Sequence, residues 1–107
     1  MVESRYQAQL IRKLKRMFPG CEILKNDSRY LQGILDLTIF WNDRWAMLEV
    51  KASENARVQP NQGYYVEKMN RMSFAAFIYP ENEDEVLAAM QETLTTERVV
   101  AAHLVLE

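Results

Sequence analysis

Two apolar runs separated by two polar residues form the most distinctive pattern in the chain. Residues 34–41 and 45–50 are rich in branched and aromatic side chains, which is typical of strands. Asn42-Asp43 between them is typical of a tight turn, so the pattern predicts a β-hairpin. Three charged residues interrupt or follow the runs: Asp36, Glu49 and Lys51. A charge on a buried strand is costly unless it is paired or holds a metal.

A two-residue loop would bring these charges together. Side chains alternate between the faces of a strand, so Glu49 and Lys51 point the same way. Antiparallel pairing then places Asp36 opposite Glu49, with their Cβ atoms roughly 5 Å apart. A four-residue loop preserves this pairing, whereas a three-residue loop moves Asp36 to the other face.

The paired acids predict a divalent metal site. Two neighbouring carboxylates repel one another unless a cation lies between them, and their hard oxygen ligands suit Mg²⁺ or Mn²⁺. The alternative is a surface hairpin with a cross-strand ion pair, which the spacing alone favours equally.

The chain before the hairpin predicts a helix, a strand and a loop. Residues 3–18 carry an apolar stripe at helical spacing that ends before Pro19. Residues 21–25 predict a short strand, and residues 26–32 are polar and loop-like. Glu3 lies at the start of the helical stripe, where it either faces the core side or simply favours the helix dipole.

The chain after the hairpin predicts a loop, a helix, a strand and a third helix. The second helix is expected to begin near Pro60, and residues 73–79 read as a buried strand. Asn82 is expected to cap the third helix. Gln62 shares the inward stripe of the second helix and either finds a polar partner there or only caps the helix. The inward stripe consists of Tyr65, Val66, Met69 and Met72.

Composition narrows the class of protein. The 107 residues, 49% of them hydrophobic, suit a single domain spanning 1–107. No apolar run approaches the roughly 20 residues of a membrane span, and the N-terminus lacks a signal core, so a cytoplasmic protein is expected. Cys21 is the only cysteine and His103 is the only histidine, so the ligands of a typical zinc site are lacking. The net charge of −2 counts mildly against passive DNA coating.

The order of elements, with Asp36 on the second strand and Glu49-Val50-Lys51 on the third, resembles the PD-(D/E)XK nuclease superfamily. The chain is most similar to its virus-type replication-repair (VRR-NUC) and Holliday-junction resolvase-like groups, over residues 3–79. Further matching positions are Gly33, Glu3 and Gln62. The proline that the family often has before the aspartate is Leu35 here.

This resemblance implies an α/β, restriction-endonuclease-like core of order α-β-β-β-α-β. A central mixed sheet would be flanked by helices, with an extra C-terminal helix and an apolar tail at residues 98–106, whose own structure is left open. The implied ligands of Mg²⁺ or Mn²⁺ are Asp36, Glu49, the Val50 carbonyl and Glu3, the last directly or through water. Lys51 would position the attacking water and stabilise developing charge, and Gln62 would orient water or phosphate.

The implied activity is a metal-dependent DNA endonuclease that leaves 5′-phosphate ends and selects branched, flapped or junction DNA. A homodimer is expected, because one small core offers little surface to grip a junction. No membrane or small-molecule cofactor is expected, and a small stand-alone nuclease is associated with phage. The candidate DNA-binding residues are Arg29, Tyr30, Arg57 and Lys68. The alternatives are a non-catalytic nucleic-acid-binding or assembly protein on the same fold, and a plain α/β interaction domain.

Overall fold

The structure, a computed structural model, describes residues 1–96 and contains three helices and four strands in this range. In chain order they are α1 (Glu3–Met17), β1 (Glu22–Lys25), β2 (Leu37–Trp41), β3 (Arg44–Val50), α2 (Gln62–Met72), β4 (Phe74–Ile78) and α3 (Glu83–Thr95). No helix of this part of the chain has the length and apolar character needed to cross a membrane. The predicted apolar tail and His103 lie outside the described residues.

The four strands form one mixed sheet in the spatial order β1-β2-β3-β4. The first three strands are successive antiparallel neighbours, and β4 lies parallel to β3. Parallel neighbours require a crossover, and α2 provides it between β3 and β4. The protein therefore has the α/β fold that was predicted, with helices on both faces of a mixed sheet.

The hairpin has the two-residue loop on which the predicted pairing depended. Trp41 pairs with Arg44 across the turn, and Asn42 has a φ of 55°, a left-handed conformation that asparagine tolerates. The first strand of the hairpin is β2, which begins only at Leu37 and is therefore shorter than predicted. Leu35 is fully buried although it precedes the strand, which explains why the apolar pattern continued upstream.

The two faces of the sheet are covered unequally. One face packs against α1 and α3 over the larger cluster of buried residues, and the other carries a small cluster beneath α2. The small cluster consists of Leu35, Met47 and Ala75. No residue of α2 is fully buried, and Met72, predicted to lie inward, is 61% exposed. The inward stripe of α2 therefore ends at Met69.

The starts of α2 and α3 differ in detail from the sequence prediction. Pro60 lies before α2, because Asn61 adopts a left-handed φ of 73° and the helix begins at Gln62. Asn82 precedes α3 as predicted, but its side chain makes no cap hydrogen bond. It instead accepts a hydrogen bond from the Tyr79 N–H at 2.9 Å, which fixes the turn before the helix.

A polar clamp joins α1 to the start of α3. The Tyr6 hydroxyl donates to Glu83 Oε1 at 2.8 Å, and the Lys13 ammonium donates to Glu83 Oε2 at 2.7 Å. Burial by itself would raise the pKa of Glu83, but the hydrogen bonds from Lys13 and Tyr6 outweigh burial and lower it. Burial of Tyr6 raises the pKa of its hydroxyl well above the usual range, and the Glu83 carboxylate raises it further.

Candidate active site

Glu49 is an acid buried inside the sheet at only 3% exposure. It lies two residues after Met47, so its side chain is on the face that α2 covers. Its Oε1 accepts the backbone N–H of Asp36 at 3.1 Å, and its Oε2 accepts the Gln62 side-chain amide at 2.6 Å. Hydrogen bonds from the residue before β2 and from the first residue of α2 thus hold the carboxylate in place.

Asp36 lies beside Glu49, as the hairpin register predicted. The last strand pair is Leu37 with Leu48, and Asp36 and Glu49 follow one residue beyond it. Asp36 Oδ2 accepts the Val50 N–H at 2.9 Å, whereas Oδ1 accepts no hydrogen bond from residues 1–96. One oxygen of the pair is therefore available to a ligand.

Lys51 completes the group at 7% exposure. Its Nζ donates to the Gln62 side-chain oxygen at 2.8 Å and to the Arg57 carbonyl at 3.0 Å, and lies 3.6 Å from Glu49 Oε2. The Gln62 amide therefore bridges the ammonium and the carboxylate. Its oxygen faces the donor and its nitrogen faces the acceptor, as the network requires.

The electrostatics of the site disfavour two ionised acids. Burial raises the pKa of Glu49 to about 7. The nearby Asp36 carboxylate also raises this pKa, whereas the Lys51 ammonium lowers it. Burial also raises the pKa of Asp36, although the Val50 N–H and Lys51 oppose the rise. A divalent cation between the carboxylates would relieve both effects.

The donor set fits a hard cation that keeps part of its water shell. Mg²⁺ commonly binds one or two protein carboxylates and fills its remaining positions with water and substrate phosphate. Within residues 1–96 no three His, Cys, Asp or Glu side chains are arranged to hold a metal. The site thus offers two carboxylates, Asp36 and Glu49. The Val50 carbonyl is the third predicted ligand, and the N–H of that residue already faces Asp36.

Glu3 is not brought to these acids. It is an exposed residue in the first turn of α1, the helix that packs against the opposite face of the sheet. The first buried residue of the apolar stripe is Tyr6, one turn later. The prediction that Glu3 completes the ligand set has no support in the structure, because spacing along a helix does not reveal which face of the sheet the helix covers.

No protein-family model, curated protein or solved structure matches the chain. The chemistry of the site is therefore argued from its side chains. Two carboxylates beside a buried ammonium can bind a cation and present a fixed donor to an anion. A phosphate group is the ligand class that uses both functions at once.

An open cavity of about 500 Å³ adjoins Asp36. The residues that line it are Ser28, Arg29, Gln32, Gly33, Ile34, Asp36, Gln59 and Gln62. Its lining is mainly polar and includes Asp36, so a molecule in the cavity would contact one of the two acids. Ser28, Gln32 and Gln59 were not predicted, because isolated polar residues in loops give no periodic signal.

The four predicted DNA-binding residues are placed differently from one another. Arg29 lines the cavity and pairs with Asp27 at 3.0 Å, and the neighbouring Tyr30 is 93% exposed. Arg57 contributes its backbone carbonyl to Lys51. Lys68 lies over the Tyr64 ring at 5.7 Å and is not among the lining residues.

Gly33 joins the cavity loop to the start of α2. It has a φ of +93°, and a Cβ there would lie 2.5 Å from the Cβ of Asn61. The close backbone approach expected of a glycine before the charged position is present. Because Asn61 directly precedes Gln62, this contact sets where the bridging amide lies.

Proposed function

We propose that the chain is a metal-dependent DNA endonuclease that hydrolyses phosphodiester bonds. The observation that carries this proposal is the grouping of Asp36, Glu49 and Lys51 in one buried corner beside an open cavity. Such a grouping disfavours ionisation of both acids, whose pKa values are raised, and a bound cation would favour their ionised forms. A phosphate-cleaving site supplies a reason for that cost.

The ligands of the cation would be the Asp36 and Glu49 carboxylates and the Val50 carbonyl. Mg²⁺ or Mn²⁺ bound there would supply positive charge to a phosphate oxygen and acidify a bound water. The free Oδ1 of Asp36 is the ligand that needs no rearrangement. Glu49 would exchange part of its bonding to Asp36 and Gln62 for the cation.

Lys51 and Gln62 would act on the phosphate and the attacking water. The Lys51 ammonium is held by the Arg57 carbonyl and the Gln62 amide, and it would exchange one of these acceptors for a phosphate oxygen in order to stabilise charge there. Gln62 holds Lys51 in place and has a second donor for water or phosphate. Attack by water with departure of the 3′ oxygen would leave the 5′-phosphate ends that the resemblance implies.

The fold is consistent with the restriction-endonuclease-like core that the resemblance implies. The observed order is helix, three antiparallel strands, crossover helix and parallel strand, with the acids at the β2–β3 hairpin. Membership in the PD-(D/E)XK superfamily and selectivity for branched or flapped DNA belong to the proposal. So do the homodimer and the cytoplasmic location.

A cleavage panel tests the proposal. Single-stranded, duplex, flapped and four-way DNA are incubated with Mg²⁺ or Mn²⁺, and 5′-phosphate products are scored. We expect Asp36→Asn, Glu49→Gln and Lys51→Ala each to lower the rate by about 100-fold or more. Glu54→Gln, which alters an exposed acid in the loop after β3, is the matched control and should leave the rate unchanged.

Calorimetric Mn²⁺ titration provides a second readout. The wild-type protein should bind Mn²⁺. Asp36→Asn should bind it at least about 10-fold more weakly, because the side chain loses its negative charge and one oxygen is replaced by an NH₂ group. Equal Mn²⁺ affinity in wild type and Asp36→Asn, or cleavage that survives Lys51→Ala, would overturn the assignment of these residues.

One observation favours the alternative of a non-catalytic nucleic-acid-binding protein. The Lys51 ammonium is directed at acceptors of the protein itself, as in a purely structural network. This alternative predicts DNA binding without metal-dependent cleavage on any of the four substrates. The cleavage panel therefore separates the two functions.

A further inference from the structure

From the surroundings of the cavity we infer that its substrate is an unpaired strand, with Tyr30 as the stacking surface for a base beside the scissile phosphate. This inference rests on the proposed function, because it names the substrate class of the same site. Tyr30 is the most exposed large hydrophobic side chain among residues 1–96, at 93%. A tyrosine ring combines a large apolar face with a polar hydroxyl, and this combination suits it to contact a partner.

Exposed apolar residues neighbour the lining residues of the cavity in both segments of the chain that form it. Tyr30 and Leu31 lie between the lining residues Arg29 and Gln32, and Val58 directly precedes the lining residue Gln59. Tyr30, Leu31 and Val58 are all exposed. The lining of the cavity is therefore mainly polar, and exposed apolar residues neighbour its lining residues along the chain.

The turn that carries Tyr30 is held by several hydrogen bonds. The Tyr30 N–H donates to the Asp27 carbonyl at 3.1 Å, and the Arg29 N–H donates to Asp27 Oδ1 at 2.8 Å. The Asn26 side chain donates to the Leu35 carbonyl at 2.8 Å. The ring is thus presented by a fixed turn, so less conformational freedom is lost when a ligand covers it.

The division into polar and apolar parts matches a single nucleotide. Its phosphate suits the cavity that contains Arg29 and Asp36 with a cation, and its base suits an aromatic surface beside it. A base in a duplex is already stacked on both faces, so only an unpaired base can use the Tyr30 ring. The site should therefore favour a single-stranded segment, as in a flap or a gap.

Fluorescence anisotropy with Ca²⁺ in place of Mg²⁺ tests this inference, because the acids then have a hard cation available to them. A gel of the recovered probe shows that binding is measured on uncleaved DNA. The probes are a labelled single-stranded oligonucleotide and a blunt duplex of the same sequence. We expect wild type to prefer the single strand and Tyr30→Ala to weaken that binding by about 5-fold or more. Tyr30→Phe should stay within about 2-fold, and duplex binding should be unchanged.

Tyr64→Ala is the matched control. Tyr64 is an exposed tyrosine on α2 whose ring already contacts Tyr65 and the Lys68 ammonium, so its loss should not change the strand preference. Because both tyrosines are exposed, the variants should melt at the temperature of wild type.

The inference is overturned if Tyr30→Ala weakens single-strand and duplex binding equally, or if wild type prefers the duplex. Its failure is distinguishable from that of the proposed function. Metal-dependent cleavage of duplex DNA that is indifferent to Tyr30→Ala would sink the inference alone. Tyr30-dependent single-strand binding without cleavage on any substrate would instead sink the nuclease proposal.

Discussion

At the scale of the residue, Gln62 connects the buried Glu49 carboxylate to the buried Lys51 ammonium. Its amide nitrogen donates to Glu49 at 2.6 Å, and its oxygen accepts from Lys51 at 2.8 Å. The same oxygen accepts the Gln59 N–H at 2.7 Å, which ties the side chain to the loop before α2. One neutral group thus connects the two charged ones.

Replacing Gln62 should therefore destabilise the protein. Gln62→Ala removes a hydrogen bond from both Glu49 and Lys51, and we expect a loss of roughly 1–3 kcal/mol in the free energy of unfolding. Urea denaturation of the metal-free protein measures it. Gln91→Ala, at an exposed position of α3, is the control. Equal stability of the two variants would show that the bridge contributes nothing.

The central residues of the site could be predicted from the sequence, but its periphery could not. Strand parity and a two-residue turn sufficed to bring Asp36 to Glu49, and helical spacing brought in Gln62. Glu3 failed because the packing of α1 against the far face is a tertiary choice. Arg57 contributes its carbonyl, and no side-chain pattern reports a backbone contact.

At the scale of the element, the contact between Gly33 and Asn61 positions α2 over the site. Gly33→Ala would combine a left-handed φ with a clash against Asn61. Gly20→Ala is the matched control, because Gly20 also has a positive φ, of +86°, but nothing lies within 4 Å of its added Cβ. The two variants share the backbone strain and differ in the clash.

We expect both glycine variants to lose roughly 1 kcal/mol or more from strain alone, and Gly33→Ala to lose more. Thermal melting measures the difference. Gly33→Ala should also weaken Mn²⁺ binding, because Gln62 follows Asn61 and would be displaced with it. Identical melting temperatures for the two variants would mean that the contact is relieved at no cost.

The clamp between α1 and α3 predicts a pH dependence of stability. The folded-state pKa of Glu83 is lowered, so its contribution is fully present above the ordinary value of 4.5 and is lost as pH falls through the lowered pKa. Urea unfolding of wild type and Glu83→Gln should therefore differ at pH 7 and converge in acid. Glu92→Gln, at an exposed site on α3, should show no such convergence.

The elements themselves were largely predictable because their patterns are local. The stripe of α1 and the turn at Asn42 are each readable within a few residues. The start of β2 was wrong, since Leu35 is buried in a loop under α2 and buried apolar residues look alike in strands and loops. Asn82 occupies the predicted N-cap position of α3, but its side chain makes no capping hydrogen bond because it accepts the Tyr79 N–H instead.

At the scale of the whole molecule, the cavity beside Asp36 bears on how many copies of the chain assemble. One such site acts on one strand, whereas a junction needs two coordinated cuts, so we expect a homodimer. Light scattering after size-exclusion chromatography should give twice the chain mass of 12.6 kDa. A monomer at concentrations that cleave four-way DNA would contradict the dimer and leave the chemistry of the site unaffected.

The shallow packing of α2 has a consequence for the order in which the molecule opens. α2 contributes no fully buried side chain, whereas α1 and α3 fill the larger cluster with theirs. Amide hydrogens of α2 should therefore exchange with deuterium well before those of α1, through partial opening at constant global stability. Because Gln62 leaves with the helix, each such excursion would uncover Glu49 and Lys51 to solvent while the remainder of the molecule stays folded.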